Sequence, residues 1–312
     1  MRVNMFDDQA NLAFIRNQAT HIESGVYAQR YPDIQYPTLI PVDTSAPEWA
    51  ASVTYMSSDA RGYAAWIGGK AMDIPNVSQV LRESQTGIHM AGVGYEYGMQ
   101  EVGMARQMGI SLLPDRAQTA RRVSEEFIEQ VAFLGDTLKG FKGLINNADI
   151  TPANVAQNAG ATSRLWSAKT PLEVMIDLNE ILTDIWSDSF QIENADTLLL
   201  SPERWAYLVN TPMSVDSTET IYTRFMKTNI LVATGRTLMM RAVRGLETAG
   251  ASGTQRMIAY TRDPSVLKLH LPMPHRFLPV YNKGLFYEVP GIFRFGGVDI
   301  RRPGAVRYRD GF

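Results

Sequence analysis

At 312 residues, 45% hydrophobic and 20% charged, with net charge −2 and no cysteine, the chain has an ordinary globular composition. That composition excludes wholesale disorder and a membrane protein, and the missing cysteines exclude disulfides, thiolate metal sites and thiol nucleophiles. The length fits about two domains, the near-neutral charge gives no global pull toward nucleic acid, and no apolar run approaches the ~18 residues that span a bilayer.

Residues 1–36 open with a short amphipathic segment (Phe6, Leu12, Phe14, Ile15) and continue as GVYAQRYPDIQYP, whose prolines and aromatics favour extended chain, so an arm is expected. The first residues lack the basic start and apolar core of a signal peptide, and the protein is expected to stay where it is made. From 37 to 95 the chemistry becomes strand-like. TLIPVD, WAASVTYM and SQVLRESQTGIHM predict a long hairpin with its tip near Gly68 and Gly69, and such a hairpin has little core of its own.

Tyr95 to Gly109 predicts a short helix with Met99, Val102, Ala105 and Met108 on one face. It leads into the longest helical pattern of the chain, 114–134. Pro114 and Asp115 suit a helix start, Gly135 an end, and Ala120, Val123, Phe127, Val131 and Leu134 recur at three- and four-residue steps. A helix of that length would run ~30 Å. The small, polar segment 148–169 predicts a surface connection. Thr170-Pro171-Leu172-Glu173 is a capping box that opens a second helix, with Leu172, Met175, Ile176, Leu182, Ile185 and Trp186 as its expected buried face.

ADTLLL then predicts a strand that ends at Ser201-Pro202, the cap of a helix carrying Trp205, Tyr207 and Leu208. A third helix is expected near Thr218 to Thr228, followed by strands in TLMMRAV and RMIAYT, which makes 151–261 a mixed α/β unit. The last fifty residues alternate and turn often (VLKLHLP, FLPVY, LFYEV, IFRFGGVDIRRP), so they are expected to be β-rich and the chain as a whole α+β.

Little catalytic chemistry stands out. Four histidines are scattered (His21, His89, His270, His275), and the five-residue step between the last two does not suit the i, i+4 pair of a zinc site. Gly92, Gly94 and Gly98 superficially resemble a dinucleotide loop, but the third glycine comes one residue late, and close packing is the expected role. Asp184 and Asp188 lie at i, i+4 on one helix and suit either acid/base work or a solvated face. Arg116, Arg121 and Arg122 cluster on the long helix, and Arg294, Arg301, Arg302, Arg307 and Arg309 gather near the C-terminus. Such arginines pair with carboxylates between subunits or face phosphate.

The order of elements resembles the major capsid proteins of tailed bacteriophages with the Hong Kong 97-like fold. The features that carry it are Gly135-Asp136, Gly143-Leu144, the helix from Pro171, LLLSPERW with Pro202 and Trp205, and RRPGAV with Arg302, Pro303 and Ala305. The resemblance covers most of 37–312. It implies an N-terminal arm (1–36), an extended E-loop (37–95), a P-domain (96–150 and 262–312) built on the spine helix 114–134, and an A-domain (151–261).

What it implies functionally is a structural protein without catalysis, cofactor or metal. Pentamers and hexamers would form an icosahedral head around double-stranded DNA, contacted non-specifically, and the chain would be made in the host bacterial cytoplasm and end in the virion. Portal, scaffolding and decoration proteins are implied partners, and a membrane is not. No long scaffolding-like extension precedes the arm, so a scaffold would be a separate protein or already removed. Lys70, Arg121, Arg122 and Arg302 are the candidates for assembly or lumen-facing roles, with Lys70 at the loop tip the one position suited to a Lys–Asn isopeptide link. An encapsulin-like nanocompartment shell and a soluble α/β enzyme using Asp184 and Asp188 are the alternatives.

Overall fold

A computed structural model describes residues 31–66, 75–108, 115–214 and 216–312. The expected amphipathic start of the arm, the hairpin tip at Gly68 and Gly69, Lys70, His21 and Pro114 lie outside the described residues.

Pro37 opens a one-turn helix, α1 (Tyr36–Leu39), where TLIPVD alone suggested a strand; only β1 (Val42–Asp43) is extended. Proline at the first helical turn forfeits no hydrogen bond, which tips the local balance. The hairpin forms as expected: β2 (Ser52–Arg61) and β3 (Ser78–Gly87) pair antiparallel in unbroken register from Ser52 opposite Gly87 to Arg61 opposite Ser78. Next come β4 (His89–Gly92), β5 (Tyr95–Gly98) and α2 (Met99–Met108), in which Met99 is exposed and Val102 half-buried.

The long helix α3 (Asp115–Leu134) spans 20 residues. Its buried residues are Ala120, Ser124, Ile128, Val131, Ala132 and Phe133, so the expected stripe is correct at Ala120 and Val131 and wrong at Val123, Phe127 and Leu134, which are exposed. Small Ser124 and Ala132 let the packed segment around α1 approach, with Tyr36, Leu39 and Ile40 joining Ile128, Val131 and Ala132 in one core. Polar residues fix that approach. The Glu129 carboxylate accepts from the Gln35 amide at 2.6 Å, and Glu125 accepts from the Tyr36 hydroxyl at 2.6 Å. Burial, then those two carboxylates, hold the Tyr36 phenol well above its ordinary value.

The end of α3 shows why glycine recurs there. The chain turns through β6 (Gly135–Asp136) and β7 (Phe141–Lys142) and folds back on the helix terminus. The Leu144 and Ile145 amides donate to the Ala132 and Phe133 carbonyls at 2.9 and 3.0 Å, and the Asn146 side chain donates to Leu134 at 2.8 Å. Three carbonyls orphaned by the helix end are thereby satisfied. A Cβ on Gly143 would lie 2.2 Å from the Phe133 oxygen, so only glycine fits.

The segment 148–169 is more than a surface connection: β8 (Ala153–Asn154) joins a sheet, and Ile150, Val155, Trp166 and Lys169 are buried. Helix α4 (Pro171–Asp188) carries the complete capping box, Thr170 with Glu173. Its buried residues are Val174, Asp177, Leu178, Ile181, Leu182 and Ile185. Leu172 and Ile176 are exposed, contrary to expectation, because Leu178 and Ile181 set the inward face one position round. Strand β9 (Thr197–Leu200) runs to Ser201, whose hydroxyl accepts from the Arg204 amide and caps α5 (Pro202–Asn210). Thr220 caps α6 (Ile221–Thr228), and Asn229 caps the short α7 (Ile230–Ala233).

Apart from two 3-10 turns (Ala251–Gly253 and Pro303–Ala305), the remaining elements are strands: β10 (Met239–Ala242), β11 (Arg256–Tyr260), β12 (Leu267–His270), β13 (Met273–Phe277), β14 (Tyr281–Lys283), β15 (Phe286–Val289), β16 (Gly291–Phe295), β17 (Val298–Ile300) and β18 (Val306–Asp310). In the five-stranded sheet β10-β9-β11-β18-β8, strands β9 and β11 are buried on both faces. Leu199, Ile258, Tyr260, Val306 and Tyr308 face the core that contains α3, while Leu198, Leu200, Met257 and Ala259 face a second core with α4, α5 and α6. The alternation of side chains makes this sheet the wall shared by two cores, which is why TLLL and RMIAY lack polar positions to alternate with. Three-stranded sheets β1-β12-β17, β13-β16-β4 and β14-β15-β5 complete the α3 side.

Candidate assembly surface

The β2–β3 hairpin is the largest feature that the cores leave unused. Eight of the ten residues of β3, from Ser78 to Gln85, are exposed. Met56 and Leu81 project on one face and Val80 on the other, and Tyr63, Trp66 and Val77 flank the strands, all exposed. A two-stranded ribbon with both faces in water is at best marginally stable. Its foot is anchored by stacking: the Arg301 guanidinium lies 4.6 Å over the Tyr55 ring, and Arg294, over the Trp49 ring, donates to the Glu48 and Ala50 carbonyls at 2.6 and 2.9 Å.

The arginines singled out in the sequence have partners within the subunit. Arg116 grips Glu101 at 2.8 Å and lies over Tyr97. Arg121 lies 5.8 Å from the Phe277 ring centre, and Arg122 pairs with Glu126 one turn on at 3.4 Å. Exposed Arg302 meets Glu193 at 2.6 Å. Arg309 binds Glu180 and Asp184, and Arg307 binds Asp188 at 2.8 Å, so β18 is strapped to α4. The i, i+4 carboxylates Asp184 and Asp188 thus serve as structural acceptors. Arg122–Glu126 is a local pair, but the partners of Arg302, Arg307 and Arg309 lie in distant segments and leave no trace in local sequence.

A buried ion pair and a half-buried ionic cluster elsewhere in the fold also escaped the sequence reading. In the second core the Lys169 ammonium lies 2.5 Å from Asp177, which accepts from the Trp166 indole at 3.0 Å as well. In the sheet β1-β12-β17, Asp43 binds Lys268, and Arg301 binds Asp299 at 3.2 Å. Burial pushes the Asp43 carboxyl up, but the hydrogen bonds from Lys268 and Ser45 outweigh it and hold the group well below the usual carboxylate range. His270 sits between the two carboxylates. His275 places Nε2 3.1 Å from the Val93 carbonyl oxygen, and Gly94 is a close-packing glycine, since a Cβ there would meet the Val289 oxygen at 2.5 Å.

Among the described residues, no group of three or more His, Asp or Glu could hold a metal ion, and no helix is long and apolar enough to cross a membrane. A polar cavity of about 150 Å³ lies at the hairpin foot, between β3, the turn after α3 and β17.

These features can be set beside known proteins. No curated protein sequence matches the chain. The capsid of Myoviridae phage XM1 is similar in structure, with TM-score 0.77 at 17% identity over 95% of this chain and 98% of that one. The capsid of an empty GTA particle gives TM-score 0.59 at 10% identity, over 93% and 94% of the two chains. A virus-like particle from Pyrococcus furiosus gives 0.50 at 13% identity, over 87% and 90%. At such identities the likeness concerns the fold, which is the Hong Kong 97-like one expected from the order of elements. The sequence profile of the family described as "Major capsid protein" matches residues 62–312. The chain belongs to that family and is a structural protein of a capsid shell.

Proposed function

We propose that the chain assembles as pentamers and hexamers into an icosahedral head enclosing double-stranded DNA, and that it carries out no catalysis. The observation that carries this reading is the β2–β3 hairpin: an ordered ribbon whose apolar residues have no core within the subunit can bury them only on a neighbour. Closed symmetry lets every copy do so. In this reading 37–95 is the E-loop. Residues 96–150 and 262–312 form the P-domain, 151–261 forms the A-domain, and β18 is lent to the A-domain sheet. Exposed Arg121 and Arg302, with Arg122, then lie on faces that meet other subunits or the lumen, and Lys70 belongs to the loop that reaches the neighbour. Synthesis takes place in the host cytoplasm, with portal and scaffolding proteins as partners.

The test is to replace residues 57–82 with a short Gly-Ser turn. The shortened chain is expected to keep its far-ultraviolet circular dichroism and both cores, since none of the described residues removed belongs to either core, but to form no particles in sedimentation. Particles of full size from the shortened chain would overturn the reading.

A further inference from the structure

His270 is 1% exposed, and neither ring nitrogen has a hydrogen-bond partner. Buried polar atoms are rarely left in that state without a reason. The ring lies between two carboxylates from different strands: Nδ1 is 3.7 Å from Asp43 Oδ2 on β1, and Nε2 is 3.5 Å from Asp299 Oδ2 on β17. A neutral imidazole has one donor and one acceptor, so in either tautomer one nitrogen points a lone pair at a carboxylate. The imidazolium has two donors and suits both.

The other charged groups here are Lys268, on the same strand as His270, and Arg301, the residue after β17. Each is already committed to one of the two carboxylates, at the same oxygen that faces the ring. A carboxylate oxygen accepts more than one hydrogen bond, so the ring does not displace them. Lys142 and Asp149, which pair at 2.6 Å, line the neighbouring cavity together with Asp299.

The cluster also touches the foot of the hairpin. Arg301 stacks on Tyr55 of β2. The Gly296 amide donates to the His270 carbonyl at 2.8 Å, and a Cβ on Gly296 would meet both the Gly87 oxygen of β3 (3.1 Å) and the His270 Cβ (3.3 Å). Strand β12 and the hairpin foot are therefore packed through a single glycine.

We propose that His270 is a proton-operated staple: as imidazolium it bridges Asp43 and Asp299 and clamps β1, β12 and β17 together beneath the extended hairpin, and as neutral imidazole it releases one of them. Protonation draws Asp299 inward together with the Arg301 that stacks on Tyr55. The foot of the hairpin is then held more tightly with the ring protonated than with it neutral.

Amide hydrogen exchange of the full chain at about pH 5.5 and about pH 7.5, corrected for intrinsic rates, tests this. The reporters are the Leu271 amide, which donates to the Asp43 carbonyl, and the Gly296 amide. Both are expected to exchange at least about tenfold more slowly at the lower pH, the scale of one charge-assisted hydrogen bond. His270→Gln, which stays neutral, should erase the difference. Asp299→Asn should also erase it, and it keeps the test open if the glutamine variant does not fold. Equal protection at the two pH values in the natural chain, or a difference that survives in either variant, would overturn the proposal.

Discussion

Lys169→Met is the substitution with the most readable consequence. Methionine keeps most of the stem volume and removes the charge, so Asp177 is left buried with only the Trp166 indole as donor. Breaking one partner of a buried ion pair costs about 3–5 kcal/mol, against ~0–1 kcal/mol for a surface pair. At 2–4 °C per kcal/mol, a loss of about 4 kcal/mol lowers the melting temperature by roughly 8–16 °C. Tryptophan fluorescence gives a local readout because Trp166 belongs to the cluster. The double variant Lys169→Met/Asp177→Leu removes the stranded charge and leaves only an unpaired indole N–H, so it should lose less, about 1–3 kcal/mol.

The pH dependence separates charge from packing. Burial already pushes the Asp177 carboxyl above the ordinary carboxylate range, against the pull of Lys169 and the Trp166 indole. A raised native value means that protonation favours the fold, so stability is complete below the unfolded value near 4 and lost as pH rises through the native one. Without the ammonium only the Trp166 indole and the charge of Arg309 oppose that push. The deficit of Lys169→Met should therefore be largest at neutral pH and shrink as pH falls toward 4. A deficit below about 1 kcal/mol, or one independent of pH, would refute the assignment of a buried charge pair.

Other substitutions probe the supports of the long helix and of the hairpin foot. Gly143→Ala puts a methyl against the Phe133 carbonyl and should cost about 2 kcal/mol or more in denaturant midpoint, whereas Gly140→Ala, with open space but positive φ (71°), should cost only about 1. Tyr36→Phe removes the hydroxyl donated to Glu125 and should lose about 1–3 kcal/mol and raise proteolysis near residues 31–40. Asp43→Asn should destabilise by about 2 kcal/mol at neutral pH. The native Asp43 value is depressed, so its contribution is present above the unfolded value near 4 and is lost as pH falls below it. The gap between Asp43→Asn and the natural chain should accordingly close in acid.

Much of the fold was legible wherever one local rule was enough. The capping box at Thr170, the Ser201 cap after TLLL, the hairpin and the bounds of the long helix all depend on neighbours within a few residues. The inward face of an amphipathic helix depends on what approaches it. Phe127 looks like a core residue but lies on the boundary, edge-on to Phe293 and Phe295 at about 6 Å, while Ser124 and Ala132 are buried because α1 comes close. Likewise, the carboxylate partners of Arg307 and Arg309 are more than one hundred residues away in the chain, and no period in the sequence encodes that register. TLLL and RMIAY were legible as strands, but that they divide two cores required the strand order.

The central claim is that this chain builds a closed shell through surface the subunit cannot bury alone. Negative-stain electron microscopy of the purified full-length protein tests it most directly. The account predicts closed particles of uniform diameter with pentameric and hexameric units in their walls. A chain that stays monomeric at high concentration by light scattering, with residues 52–87 protected from protease, would contradict it.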